Sequence, residues 1–163
     1  MNKKCKIGFI GCGKMASAII NGIMSSGFLP SENIKGSEVN NEIAELAKQR
    51  LGIDVITDNK ELAHCSDIIF IATKPNYASA VLEEIKDEIN TDKLIVSICA
   101  GVSTEKIEKI IGKQRVVRVM PNTPAMVLEG MSGVCKGAYA FEDDAQFVVE
   151  LLSNIGKAIE VTE

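Results

Sequence analysis

Tryptophan is absent from this chain and aromatic residues make up only 4% of it, so the apolar mass of a core must come from Ile, Val, Leu and Ala. Such side chains suit a parallel sheet covered by helices on both faces, where strands read as aliphatic runs. A basic surface is lacking too: Lys and Arg number 18 against 22 Asp and Glu, and the net charge is −4. Nucleic-acid binding draws on clustered cations that displace phosphate counterions, so that class of partner is excluded. Long hydrophobic runs are also missing. The longest, residues 68–72, falls far short of the roughly 20 residues that span a bilayer, and no membrane partner is expected.

Lys3, Lys4 and Lys6 ahead of IGFIG have the look of a secretory leader, but glycines and Lys14 interrupt it and no small-residue cleavage pattern follows. A first β-strand is the better reading. Cys5, Cys12, Cys65, Cys99 and Cys135 are odd in number, form no C-x-x-C pair and lie in or beside apolar segments. With a single histidine beside them, they read as free, buried thiols of a reduced cytoplasmic protein, and no metal site is expected.

What the sequence does have is alternation. Its 163 residues, 46% of them hydrophobic, suffice for one domain over residues 1–163 with a full core. Strand-length apolar pieces fall at 6–10, 33–37, 54–56, 67–72, 94–98 and 115–120, and the period between them turns helical. Met15, Ile19 and Ile23 make one buried row. Ile43, Leu46, Ala47 and Leu51 make a second, and Ala78, Val81, Leu82, Ile85 and Ile89 a third. Shorter helices fit 61–64 and 104–111, the latter capped by Ser103. A strand-like SGVCK, a helix at 144–155 and a last strand at 158–161 complete the pattern. Right-handed crossovers then give a Rossmann-type, doubly wound, mostly parallel α/β sheet with helices on both faces.

Gly11, Gly13 and Ala16 form G-x-G-x-x-A between the first strand and the first helix. The first glycine permits the tight turn, the second leaves room for a pyrophosphate, and Ala16 lets helix and strand pack closely. The helix N-terminus adds N–H donors and the positive end of a dipole. Glu38, at the end of the second strand, stands where a carboxylate accepts from an adenine-ribose 2′-hydroxyl, which favours NAD. Ser37, Asn40 and Asn41 are equally compatible with holding a 2′-phosphate, Glu38 then facing solvent. NAD(H) and NADP(H) both stand at this stage. Three more loops leave carboxyl ends of strands: ATKPN, with Lys74 before Pro75; CAGVS, with the small Ala100; and MPNTPA, where two prolines frame Asn122 and Thr123. An Asx-type turn is the plainer account of the last.

With GFIGCGKMASAII, ATKP, ICAGVS and RVMPNTPAMVLEGMSG in view, the chain resembles pyrroline-5-carboxylate reductase, and more closely its N-terminal, cofactor-binding half, over residues 6–163. The resemblance implies reduction of the cyclic imine 1-pyrroline-5-carboxylate to proline by hydride from NADPH or NADH, the last step of proline synthesis. It places Ile10, Gly11, Cys12, Gly13, Lys14 and Met15 around the pyrophosphate, Ser37 and Glu38 by the adenine ribose, and Asn59 on the adenosine side. Ala72, Thr73, Lys74 and Pro75, with Ile98, Cys99 and Ala100, would line the path to the nicotinamide, and Asn122 and Thr123 would border the substrate.

The chain departs from the family at Lys14, where Asn or Gln is usual, and in ending where a helical second domain would begin. In the family that domain builds the dimer and carries a loop for the substrate carboxylate. No convincing catalytic acid, base or nucleophile stands out: His64 reads as a packing or capping residue, and Cys12 as a small filler or as an exposed, reactive thiol. The expectation is a cofactor domain with little activity of its own. It would self-associate through an apolar patch on helix 144–155 and loop 125–133. Two alternatives stay in play, a stand-alone nucleotide-binding or regulatory module and a related reductase acting on another imine or hydroxy acid.

Overall fold

A computed structural model of the chain describes residues 5–163; Lys3 and Lys4, on which the leader reading turned, lie outside the described residues. Strands β1 (Ile7–Ile10), β2 (Ile34–Ser37) and β3 (Asp54–Ile56) alternate with helices α1 (Lys14–Ser25) and α2 (Asn41–Leu51). Next come α3 (Asn59–Cys65), β4 (Ile68–Ile71), α4 (Pro75–Ile85), β5 (Leu94–Ser97), α5 (Thr104–Ile111) and β6 (Arg115–Met120). The chain ends with β7 (Gly130–Lys136), α6 (Glu142–Leu152) and β8 (Gly156–Glu160). The eight strands form one sheet in the order β3-β2-β1-β4-β5-β6-β7-β8, parallel except where β7 turns antiparallel against β6.

Because helices cover both faces, the central strands β1, β4 and β5 are buried at every position and sort their side chains by parity. Phe9, Phe70 and Val96 point into a core closed by α1, α2 and α6, with Phe9 and Phe70 stacked at 4.5 Å. Ile10, Ile69, Ile71 and Ile95 point into a second core closed by α3, α4 and α5. Gly8 lets α3 come this close, since a Cβ there would lie 2.4 Å from Ser66 Oγ and 2.5 Å from Leu62 Cδ2.

Three sequence expectations are corrected here. Helix α2 buries Ala44, Ala47 and Leu51, leaving Ile43 and Leu46 exposed: the two alanines permit close approach to the sheet, and this rotation of the helix wins over the larger side chains. His64 neither packs nor caps; its side chain is 76% exposed beside Glu88, while Lys93 Nζ donates to the His64 and Ser66 carbonyls at the end of α3. The row drawn to Ile89 outruns its helix, for α4 stops at Ile85 and tightens into a 3₁₀ turn, Lys86–Glu88. Ser103 caps α5 as expected, its side chain accepting from Lys106 N.

Candidate functional site

Strands β2 and β3 lie on one side of β1, and β4 on the other, so the chain reverses direction across the sheet between β1 and β4. Open α/β sheets take ligands at the carboxyl ends of the strands flanking such a point. A cavity of about 560 Å³ occupies that place, walled by the loops after β1, β2, β3 and β4 and by one face of α4.

The glycine loop is shaped by two different demands. Gly11 has φ +92°, and a Cβ there would come within 2.8 Å of the Ala72 carbonyl oxygen, so backbone meets backbone where the β1 and β4 loops touch. Gly13 has an ordinary extended conformation, and among the described residues nothing lies within 4 Å of where its Cβ would be. Neither strain nor packing asks for glycine at 13. What a side chain would fill is the cavity itself, at the start of α1, a helix with no acidic residue in its first turn. Thr73, also in the wall, has a buried Oγ1 that makes no well-formed hydrogen bond among the described residues and has only the Cys99 thiol beside it. A bare helix entrance and an unspent hydroxyl fit a phosphate-bearing ligand.

Between the glycines, Cys12 turns inward. Its thiol is buried against Gly36, where a Cβ would lie 2.5 Å from Sγ, and burial together with the nearby Glu38 carboxylate pushes its pKa up to about 12. The exposed, reactive thiol is therefore set aside. The Cys12 peptide is gripped from both ends: Glu38 Oε1 accepts from its N–H at 2.7 Å, and Arg50 Nη2 donates to its carbonyl at 2.6 Å. Glu38 thus faces the loop, not solvent. Beneath, Ser37 Oγ donates to Asn59 Oδ1 at 2.7 Å, and Asn59 Nδ2 donates to Glu84 Oε2 at 2.9 Å, a chain that ties β2, α3 and α4 together along the wall.

Of the residues singled out by sequence, the cavity brings together Ile10, Gly11, Gly13, Ser37, Glu38, Asn59, Ala72, Thr73 and Lys74. Cys12 lies behind it. Lys14 is exposed at the head of α1, Met15 is half-buried against the first core, and Pro75 opens α4. Ile98, Cys99 and Ala100 follow β5 beyond the wall, Cys99 Sγ donating to the Ile71 and Thr73 carbonyls. Burial raises that thiol's pKa as well. Val39, Thr57, Tyr77, Ala80, Val81 and Glu84 line the cavity unforeseen. Tyr77, Ala80, Val81 and Glu84 repeat at helical spacing, and only Val81 among them belongs to the row expected to pack on the sheet.

Asn122 and Thr123 are exposed after β6. The Asx-turn account is corrected, since Asn122 Oδ1 accepts from Met131 N, at 2.9 Å, and joins the loop to β7. Thr104, directly after the CAGVS loop, meets the end of the chain, where the Glu163 carboxylate accepts from Thr104 N, Thr104 Oγ1 and Arg118 Nη1.

A family model described as NADP oxidoreductase, coenzyme F420-dependent, matches residues 6–101. The pyrroline-5-carboxylate reductase of Methanosarcina acetivorans is 42% identical over 159 residues, a match spanning 97% of this chain and 59% of that protein. Among solved structures, a pyrroline-5-carboxylate reductase from Coxiella burnetii superposes with a TM-score of 0.92 at 31% identity, over 98% of this chain and 60% of the other. The Plasmodium falciparum pyrroline carboxylate reductase, with NADP bound, gives a TM-score of 0.87 at 31% identity, over 99% and 59%. The chain thus spans about three-fifths of the length of these relatives.

Proposed function

The chain belongs to the NADP oxidoreductase, coenzyme F420-dependent family, and from that premise we propose that it is the cofactor-binding part of a pyrroline-5-carboxylate reductase using NADH or NADPH. The observation that carries the reading is the cavity at the sheet's reversal point, faced by a glycine that neither conformation nor packing explains. The similarity to pyrroline-5-carboxylate reductases over nearly the whole chain supports the substrate class.

A bound dihydronicotinamide would supply a hydride for the carbon of the C=N bond, whose electron pair settles on an already protonated nitrogen. The work of this chain is positioning, which supplies much of the rate in such a transfer. Gly13 and the first turn of α1 would hold the pyrophosphate by backbone N–H groups, while Gly11, whose own N–H donates to the Ser37 carbonyl, shapes the turn that presents them. Ser37, Glu38 and Asn59 would set the adenosine end. Thr73 and Lys74 lie on the way to the β5 loop, where Ile98, Cys99 and the exposed Ala100 offer bare backbone to a flat ring, and Asn122 and Thr123 would border the imine.

The same reading treats residues 1–163 as one folding unit in the cytoplasm. It also gives the chain a homo-oligomeric partner through the apolar loop after β6, where Met126, Val127 and Leu128 are exposed. The expected contribution of α6 to that patch is withdrawn, because Phe147, Val148, Leu151 and Leu152 are buried within the molecule.

The test is a fluorescence titration with NADH and NADPH on the wild type and on Gly13→Val. Saturable binding to the wild type and its loss in the variant, at an unchanged Tm, is the expected result. Failure of the wild type to bind either nucleotide, or equal binding by the variant, would overturn the reading.

A further inference from the structure

We propose that the adenosine end of this cavity selects the nucleotide without a 2′-phosphate, NAD(H), over NADP(H), and that Glu38 and Glu84 enforce the choice. The inference rests on the dinucleotide reading of the cavity. Its starting point is the orientation of Glu38. A carboxylate at the end of the second strand discriminates only if it is held toward the ribose, and the Cys12 N–H fixes this one against the glycine loop. There it can accept from a ribose hydroxyl and repel a phosphate.

Glu84 adds a second negative charge. The lining face of α4 runs from Tyr77 near the β4 loop to Glu84, whose Oε2 takes the Asn59 amide after β3. Two carboxylates therefore flank the region between the β2 and β3 loops. Lys74 is the one cation among the lining residues, and it follows β4, on the far side of β1 from that region.

The groups with donors for a 2′-phosphate are committed elsewhere or lie outside the cavity wall. Ser37 is fully buried and spends its hydroxyl proton on Asn59 Oδ1. Asn40, whose Oδ1 caps α2 by accepting from Ile43 N, and Asn41 beside it both lie outside the cavity's lining. Arg50 approaches the loop from α2, but its guanidinium donates to the Cys12 carbonyl and to Ser17 Oγ and takes no place in the cavity wall. A 2′-phosphate, with its charge of about −1.5 to −2 at neutral pH, would thus meet like charge with no lining cation beside it. The nucleotide expected to bind more tightly here is thus not the one seen in the Plasmodium relative, which has NADP bound.

The experiment measures dissociation constants by titration calorimetry for NADH and NADPH, and for the half-ligands AMP and adenosine 2′,5′-bisphosphate, which isolate the 2′-phosphate from the nicotinamide. NADH should bind about tenfold or more tightly than NADPH, AMP should outcompete the bisphosphate, and added salt should narrow both gaps by screening the repulsion. In Glu38→Gln/Glu84→Gln each amide oxygen can keep the hydrogen bond its carboxylate accepts while the charge goes. There the gap should close to within about threefold, with Tm reporting that the fold is intact. NADPH binding as tightly as NADH to the wild type would overturn the proposal, as would a full gap persisting in a folded double variant. Binding of neither nucleotide would instead strike the dinucleotide reading on which it rests.

Discussion

Two glycines and a cysteine in the first loop show how one short motif serves unrelated ends. Gly13 keeps space clear, Gly11 lets two backbones touch, and Cys12 fills a hole that Gly36 leaves in β2. Its buried, protonated thiol is a poor nucleophile, since the thiolate is the reactive form. Iodoacetamide at pH 8 should therefore modify Cys65, the exposed cysteine, long before Cys12 or Cys99, with peptide mass spectrometry giving the order. Leu128 is the opposite case, a residue out of place. It holds a left-handed conformation at φ 63°, which costs a branched side chain about 1 kcal/mol, and it is half exposed, so it gains little from burial. Leu128→Asn should leave stability unchanged or raise it by up to about 1 kcal/mol, as read from urea unfolding.

At the scale of elements, the ends of helices hold the architecture together. Asp144, 2% exposed, accepts from Phe141 N to start α6 and pairs with Arg115 at 3.1 Å, joining that helix to the first residue of β6. Arg115→Met would strand a buried carboxylate, and a loss of about 3 kcal/mol is expected in denaturant unfolding. Glu163 does similar work at the head of α5. Burial alone would raise its pKa, but the hydrogen bonds from Thr104 and Arg118 outweigh it and hold the carboxyl below its ordinary value of 4.5. A depressed folded-state pKa means stability that is present above that value and lost as pH falls through it and below. The acid limb of the stability curve should accordingly be shallower in Glu163→Gln than in the wild type.

Elements were legible in the sequence where the cause was local. The G-x-G-x-x-A loop, the Ser103 cap and the aliphatic strands each depend on neighbours a few residues away. The rotation of α2 was not legible, because Ala44 and Ala47 face inward only once the sheet beside them exists. Arg50 and Glu84 escaped notice for the same reason: each meets the glycine loop or its wall through contacts far away in the chain.

For the whole molecule, surface and sheet order matter most. Val127, 70% exposed, stands with Met126 and Leu128 on a loop that the rest of the described chain leaves uncovered. A patch of this kind favours association, so Val127→Lys should shift the chain toward monomer in light scattering at high concentration. The order of the sheet carries a consequence in time. β1 is made early, yet Ile7 pairs with Ile68 as well as with Ile34, so the central strand stays one-sided until β4 has been synthesised and docked. Such non-local pairing belongs late on a folding route. The wall where Gly11 meets Ala72 does not exist before that step, so nucleotide cannot guide the chain toward its fold. It can only lengthen the life of the fold once reached, acting on the rate of unfolding and leaving the rate of folding alone.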